Sequence, residues 1–86
     1  MMKEITINCC GLESPRALHR ALAEALDFPD WYGCNLDALH DCLTEISGDI
    51  HLTLLHLDSL GIFANSFYRV LQDAVDENPH LQVTII

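Results

Sequence analysis

The chain has 86 residues, half of them hydrophobic, and a formal charge of −9 that results from 13 acidic and 4 basic residues. This length gives one hydrophobic core, so we expect residues 1–86 to form a single domain. The negative charge argues against direct binding to a nucleic-acid backbone and favours a basic partner. The stretch 21–68 is acidic and contains no Lys or Arg. A charge surplus that only keeps the protein soluble is the alternative.

Nothing near the N-terminus resembles a targeting signal. Lys3 and Glu4 lead into the first apolar residues, unlike the apolar core of a signal peptide. No apolar stretch approaches the length that a membrane-spanning helix needs. We therefore expect a cytoplasmic protein whose four cysteines are reduced thiols.

Residues 5–26 are predicted to form one strand and one helix. Apolar and polar residues alternate over 5–9, with β-branched side chains, which is typical of a strand. Ser14 and Pro15 are typical of a helix N-terminus, and apolar residues recur at helical spacing over 15–26.

A loop at 29–35 follows and places two aromatic side chains beside a glycine. Asn35 is a good N-cap, and an apolar stripe predicts a second helix over 36–46. At 100° per residue, Asp37, Asp41 and Thr44 lie opposite this stripe, with His40 at the border. The two aspartates are one turn apart and repel each other, which indicates function. A solvated face without a binding role is the alternative.

The second half repeats the alternation of strand and helix. Residues 50–57 predict a buried strand, although their leucines leave a helix as an alternative. A short helical turn at 58–62, a helix at 64–77 and a strand at 81–86 follow. Strands joined by helices run parallel. The predicted fold is therefore α/β, a three-stranded parallel β-sheet with three to four helices packed on it.

The segment 26–44 reads LDFPDWYGCNLDALHDCLT and resembles the signature of the barstar family. The family pattern there is proline, acid, aromatic, tyrosine, glycine, any residue, then asparagine, leucine, aspartate, alanine, leucine, tryptophan, aspartate, cysteine, leucine and threonine. The resemblance extends to the opening strand, to Leu18 and His19, and to the terminal Val-Thr-Ile-Ile strand. It implies a barstar-like fold and a cytosolic inhibitor of a barnase-type ribonuclease, without cofactor or metal, that is monomeric when free.

The resemblance also implies which residues bind the enzyme. Asp41 matches an aspartate that takes the place of the substrate phosphate, Asp37 a second acidic contact, and Trp31 an aromatic that packs over a catalytic histidine. Carboxylates on a rigid helix would thus mimic phosphates before convergent cations. The other predicted contacts are Gly33, Asn35, His40, Thr44 and, on the last helix, Asp73.

Two positions depart from the family pattern. His40 stands where the family has tryptophan, and Cys34 where it often has a charged residue. A histidine next to Asp37 and Asp41 can become protonated, which would reduce the negative charge of this face. The cognate enzyme therefore need not be barnase itself.

Two short segments of the sequence suggest other functions. Leu57-Asp58-Ser59-Leu60 resembles the attachment site of acyl carrier proteins, but those are all helical, and Asp58-Ser59 can be explained as a helix cap. An enzyme could use the acid, base and thiol types present over 37–42. However, Cys42 falls on the buried side of the helix, away from His40.

Two further alternatives concern metals and partners. Cys9 and Cys10 together with His51 or His56 do not have the spacing of a common zinc site. An acidic adaptor or regulator that binds another basic protein would keep the fold and change the partner. It differs from the inhibitor in one respect, namely whether binding blocks RNA cleavage.

Overall fold

The computed structural model describes residues 2–86, which form three strands, three α-helices and two 3-10 helices. None of these helices is long and apolar enough to span a membrane. In chain order the elements are β1 (Lys3–Asn8), a 3-10 helix (Cys9–Gly11), α1 (Pro15–Ala25), α2 (Leu36–Thr44), β2 (Ile50–Leu55), a 3-10 helix (Leu57–Phe63), α3 (Ala64–Glu77) and β3 (Leu81–Ile85).

The strands form one parallel sheet in the order β1-β2-β3, with β2 in the centre. Thr53 of β2 is in register with Thr6 of β1 and Thr84 of β3. The crossovers between consecutive strands contain the helices, as parallel pairing requires. The predicted α/β fold with a three-stranded parallel sheet is confirmed.

The hydrophobic core lies between the helices and one face of the sheet. Because side chains alternate along a strand, Leu52 and Leu54 of β2 point into this core, whereas His51 and Thr53 point to the opposite face. Strand β3 adds Leu81, and the helices supply further large side chains that are almost completely buried, which are Leu18, Leu22, Leu39, Leu43, Phe67 and Leu71. Helix α2 packs on α3 with its apolar stripe, so its opposite face is available to solvent.

Helix α2 ends at Thr44, two residues before the predicted end. The reason lies in the tertiary structure. The side-chain amide of Asn78, which follows α3, donates hydrogen bonds to the carbonyl oxygens of Leu43 (2.9 Å) and Ile46 (3.0 Å). These bonds satisfy carbonyl groups at the C-terminus of α2, where no further helical turn supplies a donor.

The first two strands also end earlier than predicted. β1 ends at Asn8, whose side-chain oxygen accepts a hydrogen bond from the backbone N–H of Cys10 at 2.9 Å and starts a 3-10 helix. β2 ends at Leu55, because His56 adopts a left-handed conformation with φ of 58°. Local backbone geometry, which hydrophobic alternation does not report, decides both ends.

The interpretation of Asp58-Ser59 as a helix cap is wrong. His56 precedes the 3-10 helix in which both residues lie, and no side chain caps that helix. The hydroxyl of Ser59 instead donates a hydrogen bond to the carbonyl oxygen of Cys9 at 3.0 Å. Ser59 therefore connects the two 3-10 helices.

Candidate functional site

The loop 29–35 is held in place by Tyr32, whose side chain points towards the helices. The Tyr32 hydroxyl contacts Nδ1 of His19 on α1, and its ring lies 4.9 Å from that of Phe28, measured between centroids. His19 is itself buried, and its ring centroid lies 4.8 Å from that of Phe67 on α3. The loop is thereby connected to α1 and, through His19, to α3.

Burial sets the protonation of this pair. It lowers the pKa of His19 and raises the pKa of the Tyr32 phenol, to which the thiols of Cys34 and Cys42 contribute in the same direction. Both groups are therefore neutral at pH 7. In the neutral tautomer that carries its proton on Nε2, Nδ1 of His19 accepts the hydrogen bond from the Tyr32 hydroxyl.

Trp31 points away from this anchored region. Its side chain remains 62% exposed, although its neighbour Tyr32 is half-buried. An exposed indole on a loop whose next residue is fixed in the core loses little conformational freedom on binding. Trp31 is thus accessible to a partner, and its contact with one stays a prediction.

The turn between the loop and α2 depends on Gly33 and Asn35. The Asn35 side-chain oxygen accepts a hydrogen bond from the backbone N–H of Ala38 at 2.8 Å, which confirms Asn35 as the N-cap of α2. A Cβ atom on Gly33 would come within 2.9 Å of the Asn35 side-chain nitrogen. Gly33 therefore leaves space for the capping side chain, and both residues have a structural role whatever they contact in a partner.

The outer face of α2 presents the two predicted carboxylates to solvent. Asp37 is exposed, and the Asp41 side chain is 70% exposed. Thr44 is half-buried, and its hydroxyl donates to the backbone carbonyl of Asp41 at 3.0 Å. Among residues 2–86, no lysine or arginine forms an ion pair with either carboxylate. Their charge is therefore not neutralised by a permanently charged side chain of the described residues.

His40 connects α2 with α3, which the sequence did not reveal. Its Nε2 contacts Oε2 of Glu77, and its Nδ1 lies 3.9 Å from Oδ1 of Asp41. The predicted proximity to Asp41 is present, whereas Asp37 makes no ion pair with this imidazole within the described chain. Glu77 takes that place because α3 packs on α2.

Asp73 lies on α3, exposed, one turn before Glu77. Residues four apart share a helix face, so Asp73 lies on the side of α3 that carries Glu77 and borders α2. The structure thus arranges the predicted residues in three groups, which are the loop with Trp31, the outer face of α2, and the adjoining face of α3.

Sequence reasoning missed Glu77, His19 and Asn78. The Asn78 side chain is almost completely buried and donates hydrogen bonds to carbonyl groups at the end of α2. The spacing of Asp73 and Glu77 is the one sequence signal that could have identified an acidic face on α3. Nothing in the sequence indicates the contact partners of His19 or Asn78.

Cys42 lies on the inner side of α2 and is buried, as predicted. Burial raises the pKa of its thiol, and Glu45 and Asp41 raise it further. The thiolate, which is the nucleophilic form, is therefore disfavoured. This environment does not suit a nucleophile.

Comparison with known proteins identifies the family of this chain. The family model described as Barstar (barnase inhibitor) matches residues 2–84. The Bacillus subtilis (strain 168) protein named "Putative ribonuclease inhibitor YrdF" is 42% identical over an alignment of 82 residues, which covers 88% of this chain and 89% of that protein. The description of the family names barnase as the target, and the name of the Bacillus subtilis protein refers to a ribonuclease. The chain belongs to the barstar family.

Proposed function

We propose that residues 1–86 act as a single barstar-like domain that inhibits a barnase-type ribonuclease in the cytoplasm. The loop 29–35 and the outer face of α2 enter the basic active site of the enzyme and exclude RNA from it. The inhibitor is a monomer when free, catalyses no reaction and needs no cofactor.

One observation carries this proposal. Asp37 and Asp41 are exposed on successive turns of one short helix, and no Lys or Arg of residues 2–86 forms an ion pair with them. An enzyme that cleaves RNA must hold phosphates with convergent cations. Carboxylates that are fixed on a helix at the spacing of one turn can occupy two such positions without reorganising.

Rigidity supports the same interpretation. Helix α2 is capped by Asn35 at one end and held by Asn78 at the other, and the preceding loop is connected to α1 through Tyr32. Trp31 then offers a large apolar surface next to the charged face. Aromatic side chains are over-represented among the residues that dominate binding energy, a generalisation to which barstar itself contributed an example.

The test is inhibition of RNA cleavage by barnase, measured with the wild type and with Asp41→Asn. Loss of hydrogen bonds to a charged group weakens binding by about 10- to 100-fold. The stability of the variant should not change, because the Asp41 side chain is largely exposed. The matched control is Asp58→Asn, which removes an exposed charge from the 3-10 helix Leu57–Phe63 and should inhibit like the wild type.

Affinity capture from a native lysate, followed by ribonuclease assays on the captured protein, identifies the physiological enzyme. Equal inhibition by wild type and Asp41→Asn would refute the role of Asp41. Capture of a basic protein whose RNA cleavage is not blocked, or that cleaves no RNA, would support the alternative of a non-inhibitory acidic adaptor.

A further inference from the structure

We propose that His40 is an internal cation that competes with the ribonuclease for Asp41 and Glu77, so that complex formation releases a proton and tightens as the pH rises. This inference rests on the proposed function and adds Glu77 to the residues that meet the enzyme. It concerns a position at which this chain departs from the family pattern.

The geometry places one imidazole between two exposed carboxylates. His40 Nε2 contacts Oε2 of Glu77 on α3, and His40 Nδ1 lies 3.9 Å from Oδ1 of Asp41 on α2. The His40 side chain is 34% exposed, whereas those of Asp41 and Glu77 are 70% and 58% exposed. Both carboxylates therefore remain accessible to a partner while the histidine is in contact with them.

The charged groups around His40 are all acidic. On its own helix these are Asp37, one turn before it, and Asp41; on α3 they are Glu77 and, one turn earlier, Asp73. No Lys or Arg of residues 2–86 lies within ion-pair distance of these four side chains. A protonated His40 is consequently the internal cation of this surface.

Protonation changes what the surface offers. An imidazolium has two N–H donors and a positive charge, so it neutralises part of the charge of Asp41 and Glu77 at once. A neutral imidazole keeps one N–H donor and no charge. A guanidinium or ammonium group of the partner that approaches the same carboxylates must therefore displace the imidazolium of His40. Alternatively, His40 first loses its proton to solvent.

Two consequences follow for the partner. Its cations must reach α3 as well as α2, because Glu77 shares the imidazole with Asp41. The complex should also weaken relative to one without His40 as the pH falls through the range in which a histidine becomes charged. The family tryptophan at this position could produce no such effect.

The experiment measures the dissociation constant for barnase, used as the probe enzyme, at about pH 8 and about pH 5.5, which bracket the usual titration range of histidine. His40→Gln keeps a side-chain donor but cannot take a charge. We expect the ratio of the wild-type constant to that of His40→Gln to increase by about threefold to tenfold at the lower pH, the size expected for two exposed ion pairs. Taking this ratio cancels the titration of the enzyme's own histidines.

A matched control is available on the other side of the sheet. His51 contacts Glu4 with an Nδ1–Oε2 distance of 2.7 Å, and the two side chains are 26% and 65% exposed. His51→Gln therefore removes a comparable histidine–glutamate pair that lies away from the binding face. The dissociation constant of His51→Gln should equal that of the wild type at both pH values. When Glu77→Gln is already present, adding His40→Gln should change the dissociation constant less than it does in the wild type.

A ratio that does not change with pH would overturn the inference, as would an equal change in His51→Gln. The free protein distinguishes this failure from failure of the proposed function. The side-chain carboxyl ¹³C shifts of Asp41 and Glu77 should both respond when the wild type is titrated between about pH 8 and 5.5, and should lose this shared response in His40→Gln. If the shared shift response is present but barnase does not bind, the affinity for a hexa-arginine peptide tests the competition with His40. The pH dependence of that affinity must disappear in His40→Gln.

Discussion

The hydroxyl of Tyr32 forms a hydrogen bond with Nδ1 of the buried His19, which joins the loop 29–35 to α1. Trp31, which directly precedes Tyr32 in the chain, is exposed. One residue of the loop is thus anchored against the core while its neighbour stays exposed to solvent.

We expect Tyr32→Phe to lower the free energy of unfolding by about 1 kcal/mol, because a partly buried hydrogen bond is lost and Nδ1 of His19 remains without its partner. Urea denaturation measures this change. Tyr68→Phe is the control, since Tyr68 is 46% exposed and its hydroxyl makes no side-chain hydrogen bond to residues 2–86. An unaltered urea midpoint in Tyr32→Phe would contradict the role given to this contact.

Stability should decrease as the pH falls below about 6.5, the pKa of histidine in an unfolded chain. Burial holds the pKa of His19 lower in the folded state, so the unfolded state binds more protons in this window. The contribution is fully present above pH 6.5 and is lost progressively towards the lowered pKa. Protonation of Nδ1 would also remove the acceptor for Tyr32.

Urea midpoints of wild type and His19→Gln, measured from about pH 8 to 5, test this dependence. The difference in stability between the two proteins should become smaller at low pH, because only the wild type loses the contribution of a neutral His19. Two parallel curves would show that His19 does not carry the effect, even if His19→Gln is less stable throughout.

Asn35→Ala should destabilise the protein by about 1 kcal/mol, since the N-cap of α2 is lost. Gly33→Ala should produce part of the same loss, because its Cβ atom would meet the Asn35 amide at 2.9 Å. The double variant should then lose less than the sum of both changes, as residues with a shared contact are not additive. If the two losses in the free energy of unfolding are additive in urea denaturation, Gly33 and Asn35 act independently.

Asn78→Ala should lower the free energy of unfolding by about 2 kcal/mol, because the carbonyl groups of Leu43 and Ile46 lose their common donor. Asn78→Asp should be at least as harmful, since an ionised carboxylate cannot donate to a carbonyl. Hydrogen exchange should also become faster at the C-terminus of α2. Asn65→Ala, at an exposed position of α3, provides a control without destabilisation.

The structure also shows why the element boundaries were less predictable than the elements. Hydrophobic periodicity correctly predicted all three strands and α-helices, because it reflects which side chains are buried. The end of α2 at Thr44 depends instead on Asn78, 34 positions further along the chain. The end of β2 depends on the left-handed backbone of His56. Neither cause leaves a periodic pattern in the sequence.

The sequence by itself determined the α/β fold, the cap at Asn35 and the acidic face with Asp37 and Asp41. The fold follows from the order of strands and helices along the chain, whereas the cap and the acidic face follow from residue type and spacing within one helix. Tertiary structure alone decided that His40 contacts Glu77 and that Tyr32 contacts His19. Such pairs join residues that are distant in the chain, and their contact depends on how the helices pack, which no local pattern encodes.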